Sequence, residues 1–331
     1  MTVLLAIDTA IGIVVPTTLL VVLVICVWWL DRYDRQPLLL VASVFAWGGV
    51  VAHLLSVTSV SAATAVLHEP LGTLTTAALQ ELFKAVAVVL VARHSAGFDS
   101  PTDGLVYGTA AGLGFATVEN LLVVLAGGAP GPDSGMLTLV LQRTLFSAGV
   151  HALASGVVGG FVGLAHMSRG AVTRVAWTVA GLVIGTALHG GWSVALSTVA
   201  GVGGRWPVLA AMPVLYALYL GALWLFLRWE HGVLHEQLVE EANLGLVPPW
   251  VPAVMPFYRR RVRSDWWPRR AERVVLSRLL TRLAFRRYQA SRLPEGQAAL
   301  ASLEVFRLRG RVRRMLEPEA PTPDDGDVNP L

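Results

Sequence analysis

Long apolar runs alternate with short polar joints along most of this chain. Runs of spanning length fall near residues 10–30, 38–58, 71–92, 104–126, 137–166, 172–200 and 206–228. A bilayer core takes roughly 20 helical residues, so each run predicts a transmembrane helix. The fifth and sixth are long enough to tilt, kink or protrude. The joints DRYDRQP, SAATAVLHEP, HSAGFDSPTD, GGAPGPDSG, MSRGAVTR and GVGGRW are polar or rich in Gly and Pro. The pattern predicts an all-α, polytopic membrane helix bundle of seven spans over residues 1–228, followed by a cytoplasmic helical tail over 229–316. In that tail, 229–245 continues the seventh span and VPPWVPAVMP reads as a proline-rich linker. From Pro268 on, Val274, Val275, Leu279, Leu280, Leu283 and Phe285 mark the apolar side of one amphipathic helix. A second, about Pro294–Leu316, has its own stripe, and the two are expected to pair as a hairpin. The closing EPEAPTPDDGDVNPL, residues 317–331, is acidic and Pro-rich and reads as disordered.

Composition sharpens this. The 331 residues are 54% hydrophobic and 15% charged, with mean hydropathy +0.60, which excludes an ordinary soluble domain. The lone Cys26 excludes a disulfide framework or a cysteine-ligated metal. No Lys or Arg precedes Arg32, so the first run lacks the basic start of a cleaved signal peptide and reads as a retained helix. Loop arginines set orientation. Arg32, Arg35, Arg93, Arg169, Arg174 and the tail fall on one side, and only Arg205 on the other. The expectation is a plasma-membrane protein with its N-terminus outside and its tail cytoplasmic. The arginine-rich tail beside a membrane points to anionic lipid rather than nucleic acid.

The informative residues are the polar ones inside the runs. Residues 75–94, TTAALQELFKAVAVVLVARH, carry Gln80, Glu81 and Lys84, the chain's one lysine. The fourth run holds Glu119 and Asn120, the fifth Arg143 and His151, the sixth His189. With a rise of 1.5 Å per residue, Glu81, Glu119, His151 and His189 all fall roughly 10–20 Å below the outer ends of their helices. Ionisable groups at that depth are costly and mark sites. Two carboxylates and two imidazoles match the donors of a divalent zinc site, and equally a metal-free centre that takes a proton from water. Lys84, one turn from Gln80 and Glu81, can offset buried negative charge. From spacing alone, catalysis, transport and an ion-pair network that only fixes helix register all stand.

Other candidates carry less. His53 reads as packing near the cluster, and His94 and His166 as interfacial. His231 and His235 have chelating spacing in a helix that also bears Glu236, Glu240 and Glu241. Glycines every fourth residue, at Gly104, Gly108 and Gly112, at Gly156 and Gly160, and at Gly181 and Gly185, read as close-packing stripes. A transporter predicts internal repeats or broken helices, and no convincing repeat is present. No glycine-rich phosphate loop or HExxH occurs.

Four segments together resemble a known family. QELFK at 80–84, DGLVYGTAAGLGFATVEN at 103–120, the Arg143–His151 segment and ALHGGWS at 187–193 resemble, in order and each on its own span, the signature blocks of the PrsW family. The resemblance covers roughly residues 25–225. It implies a polytopic intramembrane metalloprotease that hydrolyses a membrane-anchored protein substrate, an anti-sigma factor among the known cases. It implies Glu81, Lys84, Glu119, His151 and His189 as site residues. Glu81, Glu119, His151 and His189 would hold a divalent metal, Zn2+ by donor type, with Gln80, Asn120 and Arg143 around them. The chain departs from the family at Gln80, where the pattern has the first of two glutamates. In the related CAAX and bacteriocin-processing superfamily that first acid is thought to activate water, and glutamine cannot take that proton. Either the remaining acids suffice, or the chain is a weakened or inactive relative serving as a membrane scaffold.

Overall fold

The structure is a computed structural model, and it describes residues 2–31, 33, 35–64, 68, 71–95, 97–126, 142–168, 170–199, 206–262, 266–267, 270–292 and 295–316. Arg32, Arg169, Arg205, the GGAPGPDSG joint, the start of the predicted fifth span and the acidic stretch 317–331 lie outside the described residues.

Described residues are helical, without strands. In order they form α1 (Thr2–Leu30), α2 (Leu38–Ala46), a π-helical segment (Trp47–Ala52), α3 (His53–Thr64), α4 (Leu71–His94) and α5 (Pro101–Leu125). A second π-helical segment (Gln142–Ser147) leads into α6 (Ala148–His166), then come α7 (Ala171–Val199), α8 (Trp206–Ala210) and α9 (Met212–Asn243). Four more helices follow: α10 (Val251–Val254), α11 (Tyr258–Val262), α12 (Arg270–Ala290) and α13 (Glu295–Leu316). Among the described residues, seven helical stretches are long and apolar enough to cross a membrane: Ala10–Leu30, Leu38–Ser61, Leu71–His94, Pro101–Leu125, Gln142–His166, Ala171–Thr198 and Val208–Asn243. The protein is therefore an all-α, multi-pass membrane protein. The chain divides into two compact units, Met1–Trp229 and Glu230–Leu331.

In the first unit α5 and α6 are the most buried spans, and glycine sets their distance. A Cβ on Gly104 would collide with the carbonyl oxygen of Gly159, one on Gly108 with that of Ser155, and one on Gly112 with that of His151. Lipid tails are as apolar as leucine, so such spans associate through close contact rather than hydrophobic expulsion. The stripe read as packing thus presses α5 onto the backbone that carries His151. Gly104→Ala is expected to cost about 1–3 kcal/mol, read as earlier heat inactivation in detergent. Gly191→Ala, where an added Cβ meets nothing within 4 Å, is the control that should be neutral.

α5 starts three residues earlier than its apolar run. Ser100 caps it, its hydroxyl accepting from the Asp103 backbone N–H at 3.2 Å while Asp103 Oδ2 accepts from the Ser100 N–H at 2.8 Å. Pro101 occupies the first turn, where the missing N–H costs nothing. Asp103 also accepts from Gln36 Nε2 at 2.5 Å, and Tyr107 donates to Gln36 Oε1 at 3.0 Å. The end of the DRYDRQP joint is thereby fastened to α5.

The second unit begins within α9. Its buried Glu241 accepts both a pair of hydrogen bonds from Arg309, at 2.9 and 2.6 Å, and one from Arg287 at 3.0 Å. These bonds raise the Arg309 pKa above the ordinary guanidinium value. α12 and α13 lie against each other, with Arg286 3.4 Å from Glu304. Leu280, Leu283 and Phe285 of α12 are buried while Val274 and Val275 are exposed. The apolar side of that helix is spent mostly on packing within the unit, not on an outer surface.

Candidate active site

The third span supplies the first part of the site. Glu81 and Lys84 stand three positions apart on an α-helix, which puts them on one face. That face is fully inside, and Lys84 Nζ lies 2.5 Å from Glu81 Oε1 with both side chains at 0% exposure. The sixth span adds His189, whose Nδ1 is 2.9 Å from the same Oε1. A carboxylate accepts, so in this arrangement Nδ1 carries the proton. Gly190 allows this approach: its missing Cβ leaves room for Leu74 and Ala77 of α4.

His151 of α6 completes the cluster. Its Nδ1 is 3.4 Å from Lys84 Nζ and its Nε2 is 2.7 Å from Glu119 Oε2. The His151 and His189 rings meet edge to face at 4.4 Å. Arg143, on the π-helical segment before α6, lies 3.9 Å from Glu119 Oε1. Two carboxylates and two fixed cations therefore balance within the group. Phe115 covers one side, 5.0 Å from Lys84 Nζ and 5.1 Å from the His151 ring.

All five residues that the sequence nominates for chemistry thus fall in one connected cluster, and their environments differ. Glu81 is enclosed, and its second oxygen accepts from Ser155 Oγ at 2.7 Å, so both oxygens are engaged. Glu119 is about one-third exposed, at 32%, and is the acid on the wall of a cavity of about 710 Å³. His151, His189, Arg143 and Gln80 share that wall. Gln80 therefore faces open volume while Glu81, one residue on, faces the buried pair.

Ser155 is the contributor that the sequence reading missed. It lies one turn beyond His151 on the same face, the only signal that pointed to it. Asn120 is buried with both amide atoms unpartnered, beside but not within the ion-pair chain. His53 stops at Phe115, ring to ring at 5.0 Å. His231 and His235 point Nδ1 at the carbonyls of Pro256 and Pro252, at 2.9 and 3.4 Å. No third ligand joins them among the described residues.

The donors suit a divalent ion. Glu81, His151 and His189 each offer a ligand atom within 4.8 Å of the others, and two imidazoles with a carboxylate are donors that zinc accepts. The ammonium of Lys84 lies in the same group, 2.5 Å from Glu81 Oε1 and 3.4 Å from His151 Nδ1, and offsets part of its negative charge. Glu119, expected as a fourth ligand, stands outside this trio and reaches it through His151.

Comparison with known proteins identifies the family. The sequence profile described as PrsW family intramembrane metalloprotease matches residues 36–220. Protease PrsW of Geobacillus kaustophilus is 31% identical over 141 residues, 42% of this chain and 59% of that protein. Protease PrsW of Bacillus subtilis is 28% identical over 174 residues, 50% of this chain and 74% of that protein. That of Shouchella clausii is 29% identical over 146 residues, 44% of this chain and 61% of its own. No solved structure matches. With its profile match covering more than half of its residues and running through every helix that contributes to the buried cluster, the chain belongs to the PrsW family of intramembrane metalloproteases.

Proposed function

We propose that this protein is an intramembrane protease that hydrolyses a peptide bond of a membrane-anchored protein near the extracytoplasmic surface. The observation that carries the reading is the cavity above the Glu81–Lys84–His151–His189 cluster. It is lined by Gly72 and Thr73 at the start of α4, Val123 near the end of α5 and Ser197 near the end of α7. The described joint arginines, Arg35, Arg93 and Arg174, sit at the opposite helix ends. By the positive-inside rule those ends are cytoplasmic, and the cavity then opens outward. A single-pass protein of the anti-sigma type is the substrate class the family suggests.

Glu81, His151 and His189 would hold a divalent metal, zinc by donor type. When bound, such an ion supplies a water of lowered pKa and a Lewis-acid contact for a carbonyl oxygen. The remaining work falls to this chain's own groups. Lys84 offsets the charge of Glu81, and Ser155 and Lys84 fix that carboxylate beside His189. Glu119, on the cavity wall, accepts the proton of an attacking water and returns it to the leaving amine. His151 and Arg143 hold the Glu119 carboxylate from two sides. A second reading, a membrane protein that binds without cutting, is favoured by Gln80, which places an amide on the cavity wall where the family pattern has an acid.

Quantitative N-terminal proteomics of membranes tests the proposal. With wild-type protein, new N-termini are expected on one or a few single-pass proteins. With His189→Ala those N-termini should vanish, the uncut proteins should accumulate, and the purified variant should hold less divalent metal than wild type. Identical N-termini in both strains would overturn proteolysis. An uncut protein retained equally by both would favour the binding reading.

A further inference from the structure

The second unit presents a helix face that the bundle chemistry does not use. On α13 the buried positions are Val305, Leu308 and Val312. At about 100° per residue these fall within a narrow stripe, which packs inside the unit. The opposite stripe holds Leu303, Phe306, Arg307, Gly310 and Arg314, with Arg311 at its edge, and all six are exposed. Phe306 is 72% exposed and Leu303 47%. An aromatic ring and a leucine thus share an outward face with arginines.

We infer that this face of α13 docks on an anionic lipid leaflet, with Leu303 and Phe306 entering the headgroup boundary and Arg307, Arg311 and Arg314 meeting lipid phosphates. Three observations select that occupant. The charge is complementary, because an inner leaflet is negative and each arginine near it contributes attraction. The apolar pair sits centrally with cations beside and beyond it, the arrangement of helices that lie in an interface; a nucleic-acid backbone would leave Phe306 without a partner. The chain also delivers the face: α9 lies within the candidate span Val208–Asn243, whose end belongs to this unit. A unit of about 100 residues has a radius of gyration near roughly 13 Å, so α13 stays within a few nanometres of its tether. The local concentration of lipid surface is therefore always high.

The test uses the full chain in nanodiscs. Cys26→Ser removes the native thiol, and Leu303→Cys carries an environment-sensitive fluorophore. In phosphatidylglycerol-containing discs the emission is expected to shift blue and iodide quenching to fall, relative to discs of phosphatidylcholine alone. Arg307→Glu with Arg314→Glu should reverse both changes and lower the docked-to-free ratio more than about tenfold. Helix content by circular dichroism confirms that the variant is folded. Equal emission and quenching in the two lipids would overturn the inference. So would a response only to added duplex DNA, which would assign the face to nucleic acid.

Discussion

Glu119→Gln is expected to lower proteolysis by about 10²–10⁴-fold, the usual contribution of a positioned general base. The change keeps size and shape, and the amide oxygen can still accept from His151 Nε2, 2.7 Å away in the native protein. The variant should therefore fold, keep its metal trio and still capture substrate, which isolates the proton transfer. The companion variant is Gln80→Glu. Gln80 lies on the same cavity wall, so a carboxylate there offers a second proton acceptor and should raise the rate by roughly tenfold. Turnover of the substrate found by N-terminal proteomics, measured with purified enzyme in nanodiscs, checks both. Retention of more than about half the wild-type rate in Glu119→Gln would remove that residue from the chemistry. A rate unchanged by Gln80→Glu would mean that the amide costs this chain nothing.

That contrast marks where sequence reasoning reached and where it stopped. Glu81 and Lys84 were legible because charge inside an apolar run has no cheap explanation, and His151 and His189 because depth along a helix is simple arithmetic. Membrane spans were legible for the same reason, each element being set by length and hydropathy alone. Whether Gln80 or Glu81 faces the cavity was not legible. Adjacent residues point about 100° apart on a helix, and only the neighbouring spans decide which direction is inside. Ser155 was hidden because a serine in a membrane helix commonly bonds its own backbone, as Ser56 does to Ala52. The tail needed the structure in another way. The apolar stripe of α12 is real, but Leu280, Leu283 and Phe285 are buried in the unit, while Leu303 and Phe306 of α13 are exposed beside arginines. An amphipathic pattern fixes that a face will be covered, not by what.

Lys84→Met tests whether the cluster is held by charge balance. Lys84 and Glu81 are both wholly enclosed and 2.5 Å apart. Removing the ammonium leaves the Glu81 carboxylate buried with only His189 and Ser155 beside it. Breaking a buried pair from one side costs about 3–5 kcal/mol, mostly for the charge left behind. Lys84→Met should therefore unfold or aggregate well below the wild-type temperature in the same detergent. Glu81→Gln alone leaves the opposite charge stranded and should fail similarly. The double variant strands neither charge, and it is expected to regain most of the lost stability, since replacing both partners of such a pair is often neutral. It should nonetheless lack activity, because the carboxylate that holds His189 is gone. A double variant no more stable than either single one would show that the two residues act independently, and the chain's one lysine would then need another explanation. Recovered stability without recovered proteolysis would separate the two tasks of this pair: Lys84 keeps Glu81 affordable inside the bundle, and Glu81 holds His189 for the reaction.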